Sequence, residues 1–575
     1  MSEAKSGEGS SPQDSVKRSV VAGMADPWLQ NLDLSSIPDE RARECIRRLL
    51  SLVETLLEEV RGLRAENQRL RDEVNRLKGE QGKPGVKANR PGKAGSSPHS
   101  SEQERRLPQA WHKRSKVKQI RIDRQEKLDL DRKTLPPDVQ FKGYETVVVQ
   151  DLRISTGNVE FLKAKYYSAQ ANKTYLAPVP QGWEGGFGPG IKALAITFAY
   201  GCNLPQPKIV EWFANMGVCI SAGEISNLLV ARQEGFHAEK QAVYEAGLRS
   251  SPWQHLDETG TRVNGQNQPC HVLSNPLYTA YFTTPKNGRL TVVQVLRNLR
   301  EPVYRLNAQA LRFLEQCGFR ARAMERLQLL PQGVDVQEAE WQRLVAQQVP
   351  GLPARQQRYL WEAAAAAAYH AEAGFPVVRL LVSDDAPQFK LVTEELALCW
   401  VHAGRHFKKL EPHFAHHRKL VESFLEQFWG CYRQLLGYRQ QPSSEEAERL
   451  SGEFDHLFSR VTGCAALDER IAQTRAKKVH LLMVLRHPEI PLHNNPAELG
   501  ARLRVRKRDA SFGPRTVRGA QAWDTFQTLL GTAKKLGVNF YVHIRERIRG
   551  APPRLAELIA QRAPHLALAA SWNDS

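Results

Sequence analysis

The sequence contains no C-x-x-C pair. Its eight cysteines, Cys45, Cys202, Cys219, Cys270, Cys317, Cys399, Cys431 and Cys464, are scattered. That excludes a zinc ribbon and argues against a disulfide scaffold in so long a chain. Long apolar runs are missing too: none approaches the roughly 18 residues of a membrane span. The stretch from Met1 to Asp14 is polar, without the apolar segment of a secretory signal. A reducing cytoplasm and no membrane partner are the expectation.

Acids are outnumbered. Lys and Arg total 81 against 62 Asp and Glu, a formal charge of +19. An excess of that size points to a polyanion, most often nucleic acid; the plainer reading is a soluble basic protein. With 575 residues and 41% hydrophobic content, three or four domains with real cores are expected.

Residues 1–40 are polar and aperiodic and read as a disordered arm. Over 45–78, Ile46, Leu49, Val53, Leu56, Val60, Leu63, Asn67, Leu70, Val74 and Leu77 alternate by three and four. Apart from Asn67, the a positions are β-branched, and every d position is leucine. That pattern favours a parallel dimeric coiled coil, with Asn67 fixing register; an amphipathic helix packed on its own domain is the alternative. Residues 79–118 form a basic arm rich in Gly, Pro and Ser, including Lys113 and Arg114. It suits salt-sensitive phosphate contact as well as it suits a solvated linker.

The segment 119–181 reads as a small β-rich module, with strands expected at 147–149, 159–162 and 164–167. Residues 190–248 read as a helix-turn-helix-like domain, in which Ser221 and Glu224 match a capping box. Strands follow at 253–256, 270–273, 278–282 and 291–293, with the hairpin signal Asn264-Gly265. The stretch 300–375 reads as a helical insertion. The α/β unit, 251–299 and 376–550, resumes with a strand ending in Ser383-Asp384-Asp385. The tail, 551–575, reads as a terminal helix and loose end.

Three acids stand where an α/β sheet gathers its chemistry: Asp257 and Asp384 at expected strand ends, and Glu498 on a helix. Three convergent carboxylates suit two Mg²⁺ (or Mn²⁺) ions roughly 4 Å apart, because such hard cations take oxygen ligands. Singly, each acid reads as a cap or a surface residue. Behind Glu498 runs a row of cations in which Arg502, Arg506, Lys507 and Arg508 are candidates for a DNA backbone. His402 and His406, four apart, have no partner motif for zinc. His402 and Arg405 are instead candidates to touch DNA.

Trp253-Gln254-His255-Leu256-Asp257-Glu258-Thr259-Gly260, Leu381-Val382-Ser383-Asp384 with Cys399-Trp400-Val401-His402-Ala403, and Asn494-Asn495-Pro496-Ala497-Glu498 together resemble the DDE transposases of the insertion sequence 66 family (TnpC-like). The resemblance covers roughly 45–550. It implies a multidomain α/β protein with an RNase H-like catalytic core, a mixed sheet with flanking helices, bearing helical insertions. An N-terminal coiled coil and a helical DNA-binding region complete it. It implies Asp257, Asp384 and Glu498 as ligands of two Mg²⁺ or Mn²⁺ ions, acting on transposon-end and target double-stranded DNA in a nucleoid-associated homodimer. Accessory element-encoded proteins are compatible with it. His493 stands where the family has Asp, Asp385 where it has Gly, and the 119–181 module is a metal-free counterpart of the family's zinc-binding one. A catalytically inactive DNA-binding relative and a metal-dependent nuclease on the same core are the alternatives.

Overall fold

The computed structural model describes residues 34, 37–77, 120–131 and 135–566. Nearly all of the expected disordered arm, and the whole basic arm with Lys113 and Arg114, lie outside the described residues.

Helix α1 (Glu40–Leu77) runs unbroken for 38 residues. Its heptad stripe stays open to solvent, including Leu56, Leu63 and Leu70. At its N-terminal end the stripe residue Ile46 and the adjacent Leu50 are docked, and Leu50 meets Leu34 and Phe414. There Glu54 accepts from the His413 backbone N–H and from His417 Nδ1. Burial alone would lower the His417 pKa, but hydrogen bonds to Cys464 and Glu54 carry it up to about 9.

Residues 120–176 hold less strand than expected. β1 (Lys165–Ser168) and β2 (Lys173–Leu176) form one hairpin. The stretches 147–149 and 159–162 have no regular structure, and Val147 and Leu162 are exposed. Short apolar runs become strands only when a neighbour takes up their backbone groups, and neither run has one among the described residues.

Helices α2 (Pro189–Ile196), α3 (Gln206–Asn215), α4 (Ala222–Val230) and α5 (Glu234–Arg249) follow. The α3–α4 corner turns through Gly217 at φ +76°. Ser221 caps α4 by accepting the Glu224 N–H at 3.1 Å. Ile209, Phe213, Ile225 and Leu229 point into the core.

β3 (Trp253–Val263), β4 (Gln266–Asn275) and β5 (Tyr278–Thr283) form an antiparallel meander. Asn264 and Gly265 both have positive φ, as a two-residue hairpin turn of the favoured twist requires. The expected strand at 291–293 is instead inside α6 (Arg289–Leu296). Val292, Val293, Val295 and Leu296 are all buried there, so packing overrides local β propensity.

The segment 300–375 contains β6 (Val303–Tyr304), α7 (Ala308–Gln316), α8 (Ala321–Leu327), β7 (Val336–Gln337), α9 (Glu338–Gln348) and α10 (Ala354–His370). Ala363 to Ala368 are buried, and the apolar core of this segment is continuous with that of the sheet. Small side chains let α10 approach α6 and α7 closely. Then come β8 (Leu380–Ser383) and β9 (Glu395–Leu398), completing a five-stranded sheet in the order β5-β4-β3-β8-β9. β8 and β9 run parallel to β3.

The remainder is helical: α11 (Trp400–Lys408), α12 (Ala415–Gln440), α13 (Ser444–Phe458), α14 (Ala465–Arg475), α15 (Lys478–Leu481), α16 (Asn495–Ser511), α17 (Val517–Lys535), α18 (Phe540–Ile548) and α19 (Leu555–Leu566). α17 seals the edge of β5. Asp524 Oδ2, Thr528 Oγ1 and Thr532 Oγ1 accept the N–H groups of Thr283, Tyr281 and Thr279 at 2.6, 3.1 and 3.3 Å. Four helical residues rise roughly 6 Å, and two strand residues advance slightly more, so the two rows keep step. Asp524 also pairs with Arg504, which is fully buried and lies between the rings of Tyr281 and Trp523.

Asp524→Ala would leave a buried guanidinium without its counter-charge. It is expected to cost about 3–5 kcal/mol, measured by urea denaturation. A loss under 1 kcal/mol would show that the pair does not hold α16 and α17 together.

Candidate active site

Asp257 lies in the middle of β3, not at its end. The parallel partner β8 pairs only with Trp253, Gln254 and His255. Asp257 therefore sits just past the last parallel rung, and Asp384 follows the last residue of β8. The place expected for a strand end is the place where the parallel ladder stops.

Glu498 is in the first turn of α16. Asn494, at the entry of that helix, joins it to the sheet. Its Nδ2 donates to the Leu256 carbonyl at 2.8 Å, and its Oδ1 faces His255 Nδ1 at 2.9 Å. The Asn494 carbonyl also accepts the Glu498 N–H at 3.1 Å. Burial holds the His255 pKa well below its ordinary value, so the ring is neutral. Because Oδ1 can only accept, the His255 proton resides on Nδ1. The residue before Asp257 and the first turn carrying Glu498 are thus tied through one amide.

The charges of Asp384 and Glu498 reach Asp257. Burial pushes the Asp257 carboxyl up to about 7; the Glu258 N–H opposes this, and the charges of Asp384, Glu498 and Glu258 add to it. A buried group of like charges is unfavourable unless a cation offsets it. Asp385, next to Asp384, is already engaged. It pairs with Lys390 at 2.7 Å and Lys477 at 2.5 Å. Burial opposes the shift, but those bonds hold its pKa below the ordinary range.

α11 brings further groups to Glu498. The Trp400 N–H donates to the Leu492 carbonyl at 2.9 Å, docking the start of α11 beside the approach to α16. Arg405 Nη2 donates to Glu498 Oε2 at 3.2 Å, and its Nη1 lies 3.1 Å from His402 Nε2. His402 Nδ1 is 3.5 Å from Glu498 Oε1. Ligand atoms of Cys399, His402 and Glu498 all lie within 4.8 Å of one another. Burial, then the Glu498 charge, pushes the Cys399 thiol up to about 12. It is a neutral thiol, poorly suited to a hard cation. Trp400 is fully buried.

Side chains alternate along a strand, so Glu258 leaves β3 on the opposite face from Asp257. It accepts from Asn287 Nδ2 at 2.8 Å and Gln388 Nε2 at 3.2 Å. Asn494, His255 and these amide partners were not singled out from sequence for such roles. Nothing in a sequence marks an amide as bridging two elements 240 residues apart.

The basic row divides by helical period. Arg502 and Arg506, four apart, are exposed. Arg508 is half-buried and donates to the Gly260 carbonyl at 2.5 Å. Lys507, expected among the DNA-facing cations, is corrected: it is only 6% exposed and its Nζ lies 3.4 Å from the Leu204 carbonyl. Burial pushes its pKa down to about 8. Arg515 and Arg518, just beyond the row, are exposed and extend the basic surface.

The chain is similar to known sequences. A model described as the Transposase IS66 family matches residues 350–522. The match begins inside the expected helical insertion and takes in α10, Asp384 and Glu498. The protein y4jO of Sinorhizobium fredii (strain NBRC 101917 / NGR234), described as uncharacterized, is 32% identical over 339 residues, 55% of this chain and 99% of that protein. No solved structure matches.

Two outcomes test this geometry. Asn494→Ala strands the Leu256 carbonyl and the His255 N–H, and is expected to cost about 2–5 kcal/mol, read from urea denaturation. The second concerns Asp257. Its folded pKa exceeds that of the unfolded chain, so the folded state holds an extra proton between the ordinary carboxylate range and about 7. Metal-free stability therefore falls as pH rises through that window. Asp257→Asn should raise the metal-free Tm at pH 7.5 and leave it nearly unchanged at pH 4. An equal effect at both pH values would refute the assignment.

Proposed function

Because this chain belongs to the IS66 family of transposases, we propose that it cleaves transposon-end DNA and transfers the strand to target DNA in a metal-dependent reaction. The observation that carries the reading is the placement of three acids at one end of the parallel ladder: Asp257 just past its last rung on β3, Asp384 just past the end of β8, and Glu498 in the first turn of the helix that Asn494 ties to β3. The donor set fits Mg²⁺ or Mn²⁺: three carboxylates, with Glu498 Oε1 buried and lacking a protein hydrogen bond. Asp384 is the second ligand in this reading, since Asp385 is held by two lysines. When bound, such ions activate the attacking water or 3′-hydroxyl and stabilise the departing 3′-oxygen.

The chain's own groups supply the rest. Arg405 and His402 orient Glu498 from α11. Arg405, partly exposed, is also free to share its charge with a phosphate as DNA enters. Arg502 and Arg506 on α16, Arg515 in the loop after it and Arg518 at the start of α17 are exposed cations available to the strand backbone. The mixed five-stranded sheet with helices packed against it supports an RNase H-like core. The open heptad stripe of α1 supports a homodimer: Leu49, Val53, Leu56, Val60 and Leu63 remain exposed, while Ile46 and the adjacent Leu50 and Leu57 are taken up by the docked end. The α3–α4 corner, with its capped second helix, supports a helix-turn-helix-like DNA contact.

Incubation of the full chain with end-sequence duplex and Mg²⁺ or Mn²⁺ is expected to give nicked and joined products. Asp257→Asn and Glu498→Gln should each lower the rate by roughly a hundredfold to a thousandfold or more. Full activity in either variant would defeat the assignment. Nicking without joining would favour a nuclease, and binding without cleavage an inactive relative.

A further inference from the structure

An open cleft of about 750 Å³ lies beside the β3–β4 hairpin, and its lining includes Glu258, the residue after Asp257. β8 stops short of this region, so β3 and β4 project as a bare hairpin. Thr261, Arg262, Asn267 and Gln268 line the cleft from the hairpin, and Arg508 and Phe512 from the end of α16.

Phe512 is unfavourable twice over as a merely structural residue. It is 86% exposed, which forgoes the burial that makes aromatic side chains stabilising. It also adopts the left-handed conformation, with φ +59°, which is strained for a residue with a Cβ. Yet its loop is held firmly. The Asn264 N–H donates to the Pro514 carbonyl at 3.0 Å. Gly513, at φ +90°, lies against the Arg262 carbonyl, where a Cβ would collide. The ring is therefore presented to solvent from a fixed loop.

The second observation is Thr261. It is only 2% exposed, and its Oγ1 has no hydrogen-bond partner among the described residues. A buried hydroxyl left unmade costs free energy unless a ligand completes it. An aromatic face, amide side chains, a guanidinium and an uncompleted hydroxyl, gathered in a concave site, are the chemistry that recognises a planar, hydrogen-bonding heterocycle. The lining also carries the carboxylates of Glu258 and Asp509, so charge for the attached backbone would come from Arg506, Arg515 and Arg518, which are exposed and near Phe512 in the sequence.

We propose that this cleft binds one unstacked nucleobase of a DNA strand, with Phe512 stacking on its face and Thr261 hydrogen-bonding its edge. The proposal rests on the DNA-processing reading above. The cleft and Asp257 share β3, but Glu258, which borders the cleft, leaves the strand on the face opposite Asp257, so a strand held here reaches the carboxylate by turning around that edge. The cleft would hold the strand by a base while the arginines hold it by its phosphates.

The test uses the full chain and a thymidine oligonucleotide carrying one 2-aminopurine, single-stranded or annealed to its complement. Affinity is measured by anisotropy, and stacking by quenching of 2-aminopurine. The wild-type protein is expected to bind the single strand and quench the probe. Phe512→Ala should weaken single-strand binding about tenfold more than duplex binding and abolish quenching, and Phe512→Trp should restore both. Thr261→Val, nearly isosteric, should keep the Tm while weakening the single strand. Arg506→Ala, in contrast, should weaken both forms alike. The proposal is overturned if the wild type binds no single strand, or if Phe512→Ala matches it in affinity and quenching. Metal-dependent cleavage of duplex DNA is followed in parallel. Cleavage without Phe512-dependent stacking would sink the cleft and spare the transposase reading. Stacking without cleavage would do the reverse.

Discussion

The amide of Asn494 is the joint between the sheet and the helix that carries Glu498. One side of it grips the Leu256 carbonyl, the other accepts the proton of a neutral His255. Asp257 comes next on the strand, and Glu498 one turn along the helix. Like charges cannot be brought together by their own attraction, so their placement falls to the neighbours of each. A neutral amide and a neutral imidazole do this without adding to the field at the carboxylates. Cations act here as well: Arg405 bonds one oxygen of Glu498, and two lysines hold Asp385.

The same economy of placement governs α16. A helix beginning at the site and running away from it presents its cations in every direction. Arg504 is drawn inward to Asp524 and clamps α16 to α17. Lys507 is buried behind it. Arg502 and Arg506 remain outside. A run that reads as one basic patch in the sequence thus holds the scaffold with part of its charge and faces solvent with the rest.

Much of this was legible beforehand, and the parts that were not have physical reasons. The heptad period, the Asn264-Gly265 turn, the Ser221 cap and the strands of the meander are written in local spacing, and the helix and hairpin boundaries follow from it. The 291–293 run misled because three residues with two β-branched valines look like a strand wherever they occur, whereas burial on every side made them helix. The runs at 147–149 and 159–162 misled for the opposite reason: nothing pairs with them. The helical content of 300–375 was visible in its alanines. That its side chains merge with the core of the sheet was not, because continuity of a core is a property of contacts. Asp257, Asp384 and Glu498 could be named as candidates from their motifs, but the amide that ties β3 to α16 joins segments some 240 residues apart. The burial of Lys507 belongs to the same class.

The row of acceptors on α17 has a further consequence. By taking the N–H groups of β5, Asp524, Thr528 and Thr532 deny that edge to any other chain. A sheet protected in this way by a helix rather than by charge depends on that helix staying attached. The likeness to the family ends at residue 522, one turn into α17. A fragment cut there would lose every one of those acceptors and lay bare an apolar edge strand. Its fate in solution would be fibre-like self-association, in which further copies of β5 supply the missing oxygens.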